Sequence, residues 1–275
     1  MAVHPKVGEL DFQLTSGCLA PLYNHLLLTE AQRDLIEVVL VSPRNPLNIG
    51  AVARAMANFG LSRLAVVVPY APHWREARSA IGAPELLAAA TETATLAEAV
   101  ARCALVLGTG TVTHRKPEQL VVSLPDLAPL VERELIRGGK VAVVFGPEKH
   151  GLTREDLSYC HVLVEIPTDS RQPSMNLGQA VAVCLYELVC RAFLPEEGAP
   201  EAEVDGVNAI APSGDLDVLA GVIEETMTAA GYSPRAMLPA NRHDLRLLLR
   251  RLALNKRDAR RILGLFRRIL WRLNH

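Results

Sequence analysis

The chain has 275 residues of which 49% are hydrophobic, enough to bury a full core, and this excludes a disordered or fibrous polymer. Its net charge of −1 conceals a segregation: residues 195–232 carry nine acidic side chains and no Lys or Arg, whereas Ser233–His275 holds eleven arginines and Lys256 against Asp244 and Asp258, a net +10. Five cysteines without CxxC spacing exclude a disulfide framework and a zinc site, no clustered His or carboxylate set suggests any other metal, and no apolar run reaches the roughly 20 residues of a membrane span, so a cytoplasmic protein with no membrane partner is expected.

In chain order, residues 1–35 show no usable periodicity and form an N-terminal extension of unassigned role. Short apolar, β-branched runs then appear at Glu37–Val41, Leu64–Val68, Ala104–Leu107, Val141–Phe145 and Val162–Ile166, each bounded by Gly, Pro or Ser, and they read as buried parallel strands. Between them, apolar residues at three- and four-residue spacing predict helices over Ile49–Phe59, Glu85–Arg102 (a break near Thr91–Thr93 is left open), Asp126–Ile136 and Asn176–Phe193. This alternation predicts an α/β domain over 36–194, a parallel sheet with helices on both faces and its site at the carboxyl ends of the strands. In the first helix Ile49, Val52, Ala53, Met56 and Ala57 share a face, Arg54 points away from it, and Gly60 supplies the stop. Residues 195–215, rich in Glu, Pro, Gly and Ala, read as an acidic linker. Helices at Leu216–Ala230, Asn241–Leu254 and Arg257–Leu273 then build a small basic module over 216–275. In the last of these Ile262, Phe266, Ile269 and Leu273 align, and Arg260, Arg261, Arg267, Arg268 and Arg272 stay in water.

Three segments join a strand end to Gly, Asn or Pro, where exposed backbone is useful. They are Asn45–Met56, with Asn48, Gly50 and Arg54; Val144–Leu152, with Gly146, Glu148 and Gly151; and Ile166–Gly178, with Ser174 or Asn176 as the helix cap. In this order they resemble the three signature motifs of the SpoU/TrmH branch of SPOUT RNA methyltransferases, over roughly Ile36 to Phe193. Within that branch the chain is similar to TrmJ-type enzymes, which methylate the ribose of nucleotide 32 in the tRNA anticodon loop.

The resemblance implies a C-terminal trefoil knot formed as residues from about Gly146 to Phe193 thread an earlier loop. It also implies S-adenosylmethionine held mainly by backbone groups at Thr109, Gly110, Gly146, Leu152, Ile166, Met175 and Leu177. Arg54 is implied as the leading catalytic residue, supported by Asn48, Glu148, Ser174 and Asn176, in a homodimer where the arginine reaches the partner's pocket. Whether it acts as a base or as a phosphate anchor stays open, although a guanidinium is a poor proton acceptor. Asn176 would equally serve as a helix cap. Arg115, Arg260, Arg261, Arg267 and Arg268 are the expected RNA contacts, with RNA rather than DNA as partner.

Other readings are a dehydrogenase, a catalytically inert RNA-binding protein of this fold, and a methyltransferase acting on rRNA or another tRNA loop. The first lacks its GxGxxG turn, since the first strand is followed by Ser42-Pro43-Arg44-Asn45-Pro46. The second gives no reason for Arg54, Gly146 and Asn176 to occur together. With 4% aromatic residues, phosphate and shape contacts should outweigh extensive base stacking.

Overall fold

The computed structural model describes residues 28–110, 117–191, 209–232 and 237–275. Its centre is a seven-stranded parallel sheet of β1 (Ile36–Val41), β2 (Arg63–Val67), β3 (Thr91–Thr93), β4 (Leu105–Thr109), β5 (Leu120–Ser123), β6 (Val141–Phe145) and β7 (Val162–Glu165), in the order β3-β2-β1-β6-β4-β7-β5. Successive side chains of β1 enter two different cores: Val38 and Leu40 pack on one face of the sheet, Val39 and Val41 on the other. Burial on both sides explains why the central strands read as continuous apolar runs and not as alternating ones.

Three elements differ from the sequence expectation. The span Glu85–Arg102 does break at Thr91–Thr93, into α3 (Pro84–Ala89) and α4 (Leu96–Val100), but the break is itself an unforeseen edge strand, β3, hydrogen-bonded to β2. β5 is a second, unanticipated edge strand, paired to β7, with Leu120 60% exposed. Asn176–Phe193 becomes α7 (Leu177–Tyr186) followed by a π-helical turn over Glu187–Arg191.

At the amino end of the described chain, Leu28 is buried and α1 (Glu30–Arg33) carries a capping box between Thr29 and Gln32. Arg33 then donates to the Gly60 carbonyl at 3.2 Å. The last residues of the extension therefore pack on the core, while residues 1–27 lie outside the described set. α2 (Pro46–Asn58) starts with Asn45 accepting from the Leu47 N–H at 3.0 Å and ends ahead of Gly60 at φ +68°. It buries Ile49, Gly50, Val52, Ala53, Ala55 and Met56 but leaves Ala57 in water. α5 (Ala128–Ile136) and the one-turn α6 (Arg154–Leu157) complete the sheet domain.

The C-terminal module consists of α8 (Ser213–Ala229), α9 (Leu238–Arg251) and α10 (Lys256–Asn274). Residues 210–215, expected within the linker, instead anchor this module to the sheet domain. Ala211 and Ser213 are buried, and the N–H groups of Ser213 and Gly214 donate to the carbonyls of Cys103 at 2.8 Å and Ala101 at 2.9 Å. Composition misled there because the acidic residues cluster before Asp205, in a stretch outside the described residues, while Ile210–Ser213 is apolar and small. Arg250, 3% exposed, fastens the joint by donating to the Tyr159 carbonyl (3.0 Å), Ser213 Oγ (2.8 Å) and Asp217 Oδ1 (2.9 Å). Among the described residues no helix is long and apolar enough to cross a membrane.

Candidate active site

At the carboxyl ends of β4, β6 and β7 a cavity of about 290 Å³ opens between two loops. One loop follows β6 and runs from Gly146 to Leu152; the other runs from Ile166 to Asn176 and enters α7. All seven residues expected to hold a donor, Thr109, Gly110, Gly146, Leu152, Ile166, Met175 and Leu177, line this cavity. Glu148 and Ser174 line it as well. The first loop folds back so closely that a Cβ on Gly146 would lie 2.3 Å from both Gly151 C and Leu152 N. Gly151 completes the reversal at φ +63°, a backbone state that glycine adopts without penalty. Thr109 donates from Oγ1 to the Val144 carbonyl at 2.9 Å, locking the cavity floor to β6.

A polar relay joins this cavity to the start of α2. Glu148 Oε1 accepts from Asn48 Nδ2 at 2.9 Å and from the Asn45 N–H at 3.2 Å, and Oε2 accepts from the Arg44 N–H at 3.1 Å. Asn176 donates from Nδ2 to Asn48 Oδ1 at 3.0 Å while its own Oδ1 caps α7 by accepting from the Gly178 N–H at 2.9 Å. Asn176, not Ser174, is therefore the cap of α7, and its free amide nitrogen reaches Asn48. Burial works to raise the Glu148 carboxyl, but the hydrogen bonds from Asn48 and from the backbone N–H groups outweigh it and hold it below the ordinary carboxylate value.

The helices carrying the relay touch through small residues, a Cβ on Gly178 falling 2.8 Å from Ala51 Cβ. Gly50 is as constrained, since a Cβ there would fall 2.2 Å from Ser79 Oγ. Thr168 and Pro173 also line the cavity and were missed, since nothing but their place between the two recognised turns marked them.

Residues 35–186, over half of the chain, match the SpoU rRNA methylase family model. The chain belongs to the SpoU methylase family. The TrmJ tRNA (cytidine/uridine/adenosine-2′-O-)-methyltransferase of Pseudomonas aeruginosa is 44% identical over 168 residues, 61% of this chain and 65% of that relative. The tRNA (cytidine/uridine-2′-O-)-methyltransferase TrmJ of Pectobacterium atrosepticum is 31% identical over 239 residues, 86% of this chain and 95% of its own length. The solved structure of TrmJ from Z. mobilis superposes with a TM-score of 0.71 at 30% identity, covering 85% of this chain and 98% of the other, so the likeness extends into the C-terminal helices. The chain is accordingly a methyltransferase with an α/β sheet domain and an added helical module.

Not every expected residue of this SpoU methylase meets at the cavity. Arg54 is exposed on α2, does not line the cavity of its own chain, and makes no ion pair among the described residues. The basic tail also divides. On α9, Arg242, Arg246 and Arg250 are engaged with Glu224, Glu155 and Asp217. On α10, Arg261 lies 3.8 Å from Asp258, whereas Arg260, Arg267 and Arg268 have no ion pair among the described residues. Arg115 lies outside the described residues. No group of His, Cys, Asp or Glu among the described residues could hold a metal.

Proposed function

We propose that this enzyme moves a methyl group from S-adenosylmethionine to a ribose 2′-hydroxyl of tRNA, at nucleotide 32 of the anticodon loop. The observation that carries the reading is the convergence of two loops, Gly146 to Leu152 and Ile166 to Asn176, on one cavity at the strand ends. Its size is near the lower end of small-molecule pockets and suits an adenosyl group. Leu152, Ile166 and Leu177 offer apolar walls to an adenine, and Gly146, which has no room for a side chain, presents backbone to its edge. The donor, when bound, supplies an electrophilic methyl on a sulfonium.

The chemistry forms a C–O bond, breaks a C–S bond and releases the hydroxyl proton, so in-line positioning supplies much of the rate. Glu148 is unsuited to take that proton because three donors already occupy its carboxylate. It braces the start of α2 against the cavity. Arg54 anchors an RNA phosphate and orients the ribose, and the proton leaves through that phosphate or water. Since Arg54 is absent from its own cavity, it serves the partner's site in a homodimer. The α2–α7 face supports this arrangement: it exposes Arg54 together with Val183 (39%) and Tyr186 (50%), whose ring meets Phe59 at 6.3 Å. A trefoil knot is supported by the strand order, in which β7 enters between β4 and β5 and α7 returns onto α2. The tRNA methyltransferases among the relatives support tRNA as substrate, and Arg260, Arg267 and Arg268 of α10, which have no ion pair among the described residues, support phosphate contact.

Incubation with unmodified bulk tRNA and labelled donor, followed by mapping of the methylated nucleotide, tests reaction, substrate and position together. Label in the ribose of nucleotide 32 is expected. Label only in rRNA or at another position would replace the substrate, and a calorimetric titration showing no binding of S-adenosylmethionine would overturn the reading.

A further inference from the structure

Beside the Glu148–Asn48–Asn176 relay lies a pair of side chains that methyl transfer leaves unused. Arg44 spends its backbone N–H on Glu148, and its guanidinium carbon sits 5.6 Å from the centroid of the Tyr70 ring. Tyr70 is tied down by its own N–H, which donates to the Pro43 carbonyl at 3.2 Å, yet 76% of the residue is exposed. A continuous path of contacts therefore runs from the cavity-lining Glu148 through Arg44 and Pro43 to Tyr70.

Neither residue lines the cavity itself, but backbone geometry fixes the pair next to Glu148, which does. The chain leaves β1 through Ser42 at φ +45° and leaves β2 through Val68 at φ +43°. A β-branched residue in the left-handed region is rare, and it persists here under two bonds that pin the strand ends, Ser42 N–H to Val67 O at 2.8 Å and Val68 N–H to Thr93 O at 3.1 Å. Tyr70 contributes nothing to the core, and its exposed ring, with a guanidinium over its face, lies one backbone hydrogen bond away from the cavity-lining Glu148 loop through Pro43 and Arg44. A tyrosine face and a guanidinium plane together suit an unstacked nucleobase.

We propose that Arg44 and Tyr70 form a shelf on which a nucleobase flanking the methylated ribose stacks. The shelf rests on the RNA ribose methylation stated above and names the nucleotide-recognising residues for that site. It selects for single-stranded RNA at the target, because a base held in a duplex cannot reach the ring.

The test compares wild type with Tyr70→Ala, Tyr70→Phe and Arg44→Ala on unmodified tRNA, with donor affinity by calorimetry and with anticodon stem-loops carrying 2-aminopurine at each position flanking the methylated nucleotide. Arg44→Ala keeps the backbone N–H to Glu148. Tyr70→Ala is expected to raise KM for RNA at least about five-fold, with kcat changed less than about two-fold and donor affinity unchanged. Tyr70→Phe should behave as wild type, Arg44→Ala should fall between, and wild type and Tyr70→Phe but not Tyr70→Ala should quench the probe at one position. Wild-type KM and quenching in Tyr70→Ala would overturn the shelf alone, as would a Tyr70→Phe variant as impaired as Tyr70→Ala. A wild-type enzyme that methylates no RNA would remove the function proposed above and the shelf with it.

Discussion

Asn176 and Asn48, 128 positions apart in sequence, are joined side chain to side chain at 3.0 Å, and through Asn48 the helix that ends the sheet domain is linked to the Glu148 loop. One amide thus reports on the alignment of α2, the loop after β6 and the cap of α7. Asn48→Ala leaves Glu148 one donor short and Asn176 without its acceptor. It should lower stability by about 1–2 kcal/mol and reduce kcat/KM by more than the stability loss explains. Thermal denaturation beside steady-state kinetics separates the two effects, and a variant with unchanged kcat/KM would contradict the relay.

Gly146→Ala places a methyl group within 2.3 Å of two backbone atoms, which no rotamer can relieve. Gly110 lines the same cavity with open space around an added Cβ. Gly146→Ala should therefore abolish donor binding in a calorimetric titration and lower Tm, while Gly110→Ala keeps the wild-type Tm.

Arg54 is exposed, so its replacement spares the fold. Arg54→Lys and Arg54→Ala should both retain Tm and donor affinity and lose at least about 100-fold in kcat, because an ammonium lacks the planar, two-pronged donor geometry. If the site is shared between protomers, mixing Arg54→Ala with a cavity-dead Gly146→Ala chain should restore part of the activity through hybrid dimers. Near-normal turnover by Arg54→Lys would contradict the anchoring role.

Replacing Arg260, Arg267, Arg268 and Arg272 together by Gln should weaken tRNA binding and flatten its dependence on salt, by roughly 0.7–0.9 in log–log slope for each phosphate no longer neutralised. Removing Arg242 and Arg246 should leave that slope alone, since both are already paired with Glu224 and Glu155. Filter binding from low to high salt distinguishes them.

His161 Nδ1 accepts from the Val106 N–H at 3.1 Å, which requires an unprotonated ring nitrogen. Desolvation, with the Arg250 charge second, pushes its pKa from 6.5 down to about 3. The unfolded chain then binds a proton that the folded one refuses, so stability is complete above about pH 6.5 and falls as pH drops toward 3, with a slope approaching about 1.4 kcal/mol per unit. Denaturant titrations of wild type and His161→Gln at pH 7 and pH 5 should show the larger loss in wild type.

The three turns that built the site were readable because each depends on local chemistry. Asn45 and Asn176 cap helices through their own side chains, Gly151 takes a left-handed turn, and small residues at Gly50, Ala51 and Gly178 are what close helix contact requires. The edge strands were not readable. Thr91–Thr93 and Leu120–Ser123 are short, partly exposed, and become strands only because β2 and β7 offer them backbone partners. Tyr70 carried no signal either, since a lone tyrosine after a strand gains meaning only beside Arg44.

Taken alone, the sequence determined the α/β alternation, the family motifs and the concentration of cations in the tail, because hydrophobic period, turn residues and charge are properties of neighbouring positions. Only the tertiary structure decided the strand order, the anchoring of the helical module by Arg250 through Ser213 and Asp217, the split between arginines engaged on α9 and those on α10 without an ion pair among the described residues, and the place of Arg54 outside its own cavity. These depend on which distant groups find one another when backbone hydrogen bonds and buried charges must be satisfied together.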